Sequence, residues 1–340
     1  MSRHDARRFS RRRFLAGAAG TVGLLGLRPG SIAAEPPPET TTLRLAQFTS
    51  GCQGPFHVAG ELLRAEGFTD VQYVRIDTNQ QITDSLAART VDVGVQFSAP
   101  FIGDIDRGVD IVTLGGVHAG CFVLFGNRAV RSVRDLKGKT VSVPGVDTQN
   151  AARMYIASMA AYVGLDPARD ITWVAHPLAE AVRAFTDGKV DAIMGFPPLA
   201  QELRAKKIGH VVVDSTTDRP WSQYFCCMMV AGREFVKKHP VAAKRAVRAI
   251  VKATAICAQE PERVARLLVE RGIVKQYDYA LQTIKELPYA RWRDYDSEDT
   301  LRFYALRLHE AGMIKSSPQK IIAQGSDLRF INELKKELKG

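Results

Sequence analysis

The sequence predicts an α/β fold made of two similar lobes, each a small doubly wound sheet, joined by two hinge segments. Three observations predict it. Strand-like and helix-like segments alternate through much of the first 200 residues, the pattern of βαβ units. The alternation occurs twice: Val91-Asp92 matches Val190-Asp191 and Phe97 matches Phe196, both at a spacing of 99 residues. The 340 residues, 46% of them hydrophobic, suffice for two cores at about 150 residues each.

The first copy begins with a short strand at 43–48, followed by a loop over 49–54. A helix over 56–65 ends at Gly67. A second strand spans 71–76, a second helix 80–88, and a third strand 91–97, which Pro100 stops. The second copy repeats this order. A strand at 140–143 leads to a loop at 144–147 and a helix over 148–162, closed by Gly164. A strand at 171–175, a helix at 178–185 and a strand at 190–196 follow, stopped by Pro197-Pro198. Such crossovers imply parallel sheets.

Between the copies, 111–114 reads as a strand that ends at Gly115-Gly116. Residues 122–125 and 227–230 read as the two segments that link the lobes. The first lobe is therefore expected over 42–121 plus 230–340, and the second over 122–229. Beyond Arg233 the pattern is helical, with helices expected over 240–259, 261–271, 299–311 and 327–339.

Formal net charge is +11, from 47 Lys+Arg against 36 Asp+Glu. Residues 1–34 hold seven Arg and one Asp, so more than half of the surplus sits there. The remainder is dispersed, and no nucleic-acid partner is predicted. Ser10-Arg11-Arg12-Arg13-Phe14-Leu15, an apolar run at 16–27 and the small residues Ser31-Ile32-Ala33-Ala34 have the order of an export signal. Residues 1–34 are thus expected to be a twin-arginine-type signal peptide, and Pro-rich 35–41 a stiff linker. The apolar run is shorter than the ~20 residues of a membrane span. Export predicts an oxidising compartment, yet the cysteines are odd in number: 52, 121, 226, 227 and 257. Adjacent Cys226-Cys227 on a strand should point to opposite faces, so they read as packing residues.

Gly138-Lys139-Thr140 precedes a strand, and Val133 stands where a phosphate loop needs Gly, so no such loop is present. No GxGxxG joins a strand to a helix, and HExxH and GxSxG are absent. The seven histidines have no close metal-ligand spacing, although His57, His118 and His176 with Cys52 and Cys121 are of a type to bind a soft metal. No metal, cofactor or catalytic residue is expected.

Ligands of doubly wound sheets sit beyond the carboxyl ends of the strands. The loop after the first strand offers Phe48, Thr49, Ser50, Cys52, Gln53 and His57 as candidates. Phe97 and Ser98 follow the third strand, and His118 follows Gly115-Gly116. The second lobe offers Asp147, Thr148, Gln149 and Asn150, then His176 and Phe196, with Tyr224 before the return segment. Aromatic walls with a few hydroxyl, amide and imidazole groups suit one small organic ligand. Thr148 or Asp147 also reads as the cap of its helix. These loops carry no Lys or Arg before Arg153, which fits a singly charged anion, a zwitterion or a polar heteroaromatic.

Four segments resemble a known family: Thr90-Val91-Asp92-Val93-Gly94, Val133-Arg134-Asp135-Leu136-Lys137-Gly138-Lys139-Thr140-Val141, Gly188-Lys189-Val190-Asp191-Ala192 and Glu234-Phe235-Val236-Lys237-Lys238-His239-Pro240. The family is that of periplasmic solute-binding proteins of nitrate/sulfonate/taurine-type ABC importers. The resemblance implies the type II periplasmic binding protein fold and a periplasmic, monomeric protein. It also implies capture of a small solute between the lobes and transient delivery to an ABC permease and its ATPase. Relatives take nitrate, bicarbonate, taurine, alkanesulfonates, aromatic acids or thiamine-precursor pyrimidines. The family's ligand groups correspond to residues 48–54, 97–99 and 146–150. Two alternatives stay open: an enzyme on this scaffold related to thiamine-pyrimidine synthesis, and a ligand-sensing subunit of a membrane receptor. The eukaryotic pyrimidine-forming relatives carry a run of several cysteines where this chain has Cys226-Cys227 alone.

Overall fold

A computed structural model describes residues 35–338. The signal expected over 1–34 lies outside the described residues. Ten strands alternate with helices: β1 Thr42–Phe48, β2 Asp70–Ile76, β3 Val93–Phe97, β4 Ile111–Ala119, β5 Val123–Gly126, β6 Lys139–Val143, β7 Ile171–Ala175, β8 Ala192–Gly195, β9 His210–Asp214 and β10 Phe225–Gly232. They form two five-stranded sheets, ordered β2-β1-β3-β10-β4 and β7-β6-β8-β5-β9. The two-lobed α/β architecture is the one the alternating pattern predicts.

The sheets are mixed rather than parallel. β10 runs antiparallel to β3 and β4, and β5 runs antiparallel to β8 and β9. Hydrophobic runs such as Phe225–Gly232 are buried nearly throughout, and burial of both faces carries no sign of strand direction. The whole of β10 lies in the first sheet, so the chain crosses back before Phe225 and not near 229–230. Likewise, β5 belongs to the second sheet. The crossings are residues 120–122 and 215–224.

The repeat has a structural cause. In the first lobe the Asp92 carboxylate accepts the Arg44 backbone amide at 2.8 Å and the Arg44 guanidinium at 2.6 and 3.0 Å. In the second lobe the Asp191 carboxylate accepts the Thr140 amide at 2.9 Å and the Asn127 side-chain amide at 2.8 Å. Each aspartate also donates its own amide back, Asp92 to Arg44 and Asp191 to Thr140. The matched residue therefore ties the third strand of each copy to the first strand, at the end remote from the strand tips.

Other elements shift. β4 runs through Gly115-Gly116 to Ala119 because a Cβ at Gly116 would stand 2.1 Å from the Phe225 ring. That glycine serves close approach and not a turn. A helix, Ser98–Asp106, starts directly after β3, since Pro100 falls in a first turn where its missing N–H is harmless. The first helix is two short ones, Gly54–Val58 and Gly60–Ala65. The helix of the second copy is Ala151–Tyr162. Its cap is Asn150, whose side chain accepts the Arg153 amide, and not Thr148 or Asp147. The long helix Pro240–Gln259 matches expectation, and the Glu39 carboxylate of the linker accepts its Val241 and Ala242 amides at 3.0 and 2.9 Å. Helices at Tyr277–Glu286 and Pro318–Gly325 are additional to those expected.

Asp191→Ala leaves the Thr140 and Asn127 donors without their acceptor, and Asp92→Ala strands a guanidinium as well. Each is expected to lower stability by about 1.5–3 kcal/mol, with Asp92→Asn losing less because one acceptor survives. Urea unfolding with an unchanged m-value checks this; midpoints equal to the parent's count against the tie.

Candidate functional site

A cleft of ≈ 460 Å³ opens between the sheets, at the carboxyl ends of their parallel strands. Phe48 ends β1, Phe97 ends β3, and Phe196 follows β8; all three rings line the cleft. Phe97 and Phe196, one from each lobe, have ring centroids 4.8 Å apart. Phe48 meets Phe97 edge-on at 6.4 Å. Behind them the Tyr155 ring packs on Phe97 at 6.3 Å and stacks on Phe122 at 4.1 Å. Aromatic contacts of this kind add about 0.5–1.5 kcal/mol each beyond area burial.

The polar lining is acidic and amidic. Asp104 is 2% exposed. One carboxylate oxygen accepts the Thr83 hydroxyl at 2.6 Å, and the other faces the Arg107 guanidinium at 2.5 Å. The Gln96 side-chain amide donates to Thr83 at 3.2 Å, which closes the network. Burial raises the Asp104 carboxyl above its ordinary range, with the Thr83 and Arg107 contacts opposing. Asp77 and Asp147 stand on the rim. Among the described lining residues none is Lys or Arg.

The helix Ala151–Tyr162 begins at the cleft. Its cap serves the amide of Arg153, while Ala151 and Ala152, the first two helical residues, line the cavity. First-turn amides lack intrahelical partners and present donors there. Gln149 reaches across the cleft: its Oε1 lies 2.4 Å from where a Cβ on Gly103 would stand. That oxygen is buried and has no hydrogen-bond partner.

Of the residues predicted from sequence, the fold brings Phe48, Phe97, Asp147, Gln149, Asn150 and Phe196 to this cleft. The others are placed elsewhere. Thr49 uses its amide on Ile76 at 3.3 Å. Ser50 is buried with its hydroxyl 3.2 Å from the Cys52 thiol. Gln53 and His57 are buried under the first lobe's helices, at 3% and 1% exposure. Ser98 directs its hydroxyl to Tyr155 at 3.0 Å. Thr148 is exposed outside the cavity. His176 pairs with Ser142 at 3.0 Å at the end of edge strand β7. Tyr224 stacks on Phe303 at 3.9 Å, in an aromatic cluster over the second crossing.

Cys52 and His118 go to a different place, which sequence spacing does not reveal. With Cys121 and Cys227 they bring four ligand atoms within 4.8 Å of one another, all buried. Cys226 joins them, its thiol 2.6 Å from that of Cys121, so Cys226 and Cys227 do not part to opposite faces. A register shift between Phe225 and Cys227 puts Cys226 in a bulge, and bulges re-aim side chains.

Thr78, Gln80, Thr83, Gln96, Pro100 and Asp104 line the cleft without having been singled out by sequence. Thr78 and Gln80 follow β2, whose carboxyl end also faces the cleft; that strand end was the available signal. Asp104 and Pro100 ride on the unexpected helix Ser98–Asp106.

Comparison with known proteins gives the chain its relatives. Residues 36–270 match the NMT1-like family. No curated protein matches the chain. Among solved structures it is similar to the periplasmic nitrate-binding protein NrtA of Synechocystis PCC 6803, with a TM-score of 0.71 and 16% identity over 89% of this chain and 90% of that one. It is also similar to the alkanesulfonate-binding protein SsuA of Xanthomonas axonopodis pv. citri bound to MOPS, with a TM-score of 0.67 and 17% identity over 87% and 100%. The aliphatic sulphonate-binding protein SsuA of Escherichia coli gives a TM-score of 0.66 and 18% identity over 84% and 91%. At these identities the likeness is one of fold.

His57 supplies a pH test of the placement. Burial, with Arg271 nearby, lowers its pKa from 6.5 to about 4. The unfolded chain therefore binds this proton more tightly than the folded one. Stability is full above pH 6.5 and falls as pH drops toward 4, by up to about 3 kcal/mol from this group. In His57→Leu the loss between neutral pH and about pH 5 should shrink, measured by urea unfolding at both. An identical loss in parent and variant assigns the acid sensitivity elsewhere.

Proposed function

The chain belongs to the NMT1-like family, and from that membership and the geometry of the cleft we propose that it is a periplasmic solute-binding protein serving an ABC importer. The observation that carries the reading is the interlobe cleft, walled by Phe97 from one lobe and Phe196 from the other. A ligand caught between walls on different lobes binds best when the lobes close, so binding and closure are one equilibrium. The two crossings, 120–122 and 215–224, are the segments about which the lobes turn. The closed form then carries the solute to a permease, as the resemblance implies. The solved structures it resembles are binding proteins, and no catalytic residue is proposed.

Charge narrows the solute. NrtA is a nitrate-binding protein and the two SsuA proteins bind sulfonates. Here the described lining holds Asp77, Asp104 and Asp147 and no basic side chain; Arg107 pairs with Asp104 from behind. A carboxylate-lined cavity disfavours an anion. Three rings and amide donors suit a flat, polar, uncharged or singly cationic heteroaromatic, such as an amino-substituted pyrimidine. A ring inserted between Phe97 and Phe196 needs about 7 Å of separation, two contacts of ~3.5 Å. The present 4.8 Å must therefore widen on entry. In this reading Asp104 and Gln149 accept the guest's N–H groups, and the Ala151 and Ala152 amides donate to its ring nitrogens; their place in the lining supports it.

A melting-temperature panel over nitrate, alkanesulfonates, bicarbonate, aromatic carboxylates and aminopyrimidines tests this. A cognate ring at about 1,000 times its Kd adds ~4 kcal/mol. Phe97→Ala with Phe196→Ala should weaken its binding at least about tenfold while the fold persists. A shift with nitrate or sulfonate and none with the rings overturns the solute class; unchanged affinity in the double variant removes the two phenylalanines from the site.

A further inference from the structure

The cleft makes no use of the cysteines, and four of the five converge on one point. Cys52 lies in the turn Gly51–Gln53 after β1. His118 stands near the end of β4, and Cys121 on the first crossing. Cys227 is the third residue of β10 and sits opposite His118 in register. The thiols of Cys52, Cys121 and Cys227 and a ring nitrogen of His118 lie within 4.8 Å of one another. All four residues are buried, at 4% exposure or less.

The imidazole separates this cluster from apolar packing. His118 Nδ1 is 3.2 Å from the Ala119 carbonyl oxygen. A carbonyl can only accept, so Nδ1 carries the proton and Nε2 keeps its lone pair. Nε2 is buried and has no hydrogen-bond partner. A fully buried, unpaired acceptor is costly, whereas a metal ligand that donates its other N–H to a backbone carbonyl is the usual arrangement of a ligating histidine. The ring is further held edge-on against Tyr289 at 5.3 Å, whose hydroxyl donates to the Cys52 carbonyl at 2.7 Å. Cys257, equally buried, lies outside this group among the described residues.

We propose that Cys52, His118, Cys121 and Cys227 form a closed tetrahedral site for one divalent, borderline-soft cation of the zinc type. A metal–sulfur bond of about 2.3 Å sets tetrahedral sulfur–sulfur edges near 3.8 Å, so the cluster contracts by about 1 Å or less on binding. Three thiols release their protons to solvent, three metal–sulfur bonds and one metal–nitrogen bond form, and no atom changes oxidation state. Four protein ligands leave no open position, so the ion is structural. It fastens the first crossing, through Cys121, to β1, β4 and β10. Cys226 contacts Cys121 from the second layer.

The full chain, purified metal-free and reduced, is titrated with cobalt(II). The expected result is the thiolate-to-cobalt charge-transfer absorption and intense visible bands of a tetrahedral ion, saturating at one equivalent and displaced by zinc. X-ray absorption of the zinc-loaded parent, which needs no variant, should give three sulfurs at about 2.3 Å and one nitrogen at about 2.0 Å. Cys257→Ser should leave the cobalt spectrum intact, and Cys227→Ser or His118→Gln should change it. Fewer than three sulfurs around zinc, or no tetrahedral cobalt bands in the reduced parent, overturns the site. So does a Cys121–Cys226 disulfide in the isolated protein that yields no cobalt bands after its reduction.

Discussion

Everything in this molecule depends on one constraint of chain path. Each sheet is completed by a strand that arrives from the other side of the lobe boundary and runs antiparallel to its neighbours. β10 lies between β3 and β4, so β4 has no partner in the first sheet until the chain has passed through the second lobe and returned. The first lobe therefore cannot complete its sheet before the second is made, whereas the second sheet comes from the continuous stretch 123–214. Direction matters as much as position. The parallel strands end at the cleft, and antiparallel β5 and β10 therefore begin there. Both crossings join cleft-side ends, Ala119 to Val123 and Asp214 to Phe225, and so lie on the cleft side of the two sheets.

The first crossing is linked to the solute walls through Tyr155. Phe97 and Phe196 stand over Tyr155, whose hydroxyl donates to the Cys226 carbonyl at 3.1 Å and whose ring stacks on Phe122 of the first crossing. Tyr155 also meets Tyr304 of the helix Ser297–Glu310 at 5.4 Å. The C-terminal helices are thus part of the hinge packing and not an appendage. A second strut spans the lobes outside the cleft, where the Glu286 carboxylate accepts Gln201 and Arg204 at 2.9 and 3.0 Å. The Glu286 contact is part-buried on its Gln201 side and exposed on its Arg204 side, whereas Tyr155 and Phe122 of the aromatic column are fully buried.

Much of this was legible in the sequence, for a reason that also marks where legibility stops. The repeat was visible because Asp92 and Asp191 do the same local work, each tying two parallel strands through a backbone amide. Phe97 and Phe196 were visible because they end equivalent strands. Strand direction was not, since a strand buried on both faces reads the same either way. Gly115-Gly116 imitated a turn although the strand runs through both: Gly115 adopts φ +142° and Gly116 makes room for the Phe225 ring. His57 and His176 were drawn into the site by loop position, yet one faces the interior and the other an edge strand. The cysteine–histidine cluster joins residues 52, 118, 121 and 227, and no spacing rule along the chain covers ligands that four separate segments deliver.

The cluster departs from what stability alone would select. Apolar residues of similar volume would fill the space without burying an unpaired imidazole nitrogen. Cys121 is held at φ +110°, a conformation that non-glycine residues adopt at a cost of about 1–3 kcal/mol. The bulge at Cys226 interrupts the ladder of a central strand. These three costs fall on one point of the crossing, while the polar groups at Asp92 and Asp191 are satisfied by several donors each. Backbone strain, an interrupted ladder and a buried imidazole nitrogen coincide at this crossing, and the coincidence marks a position kept for something other than folding.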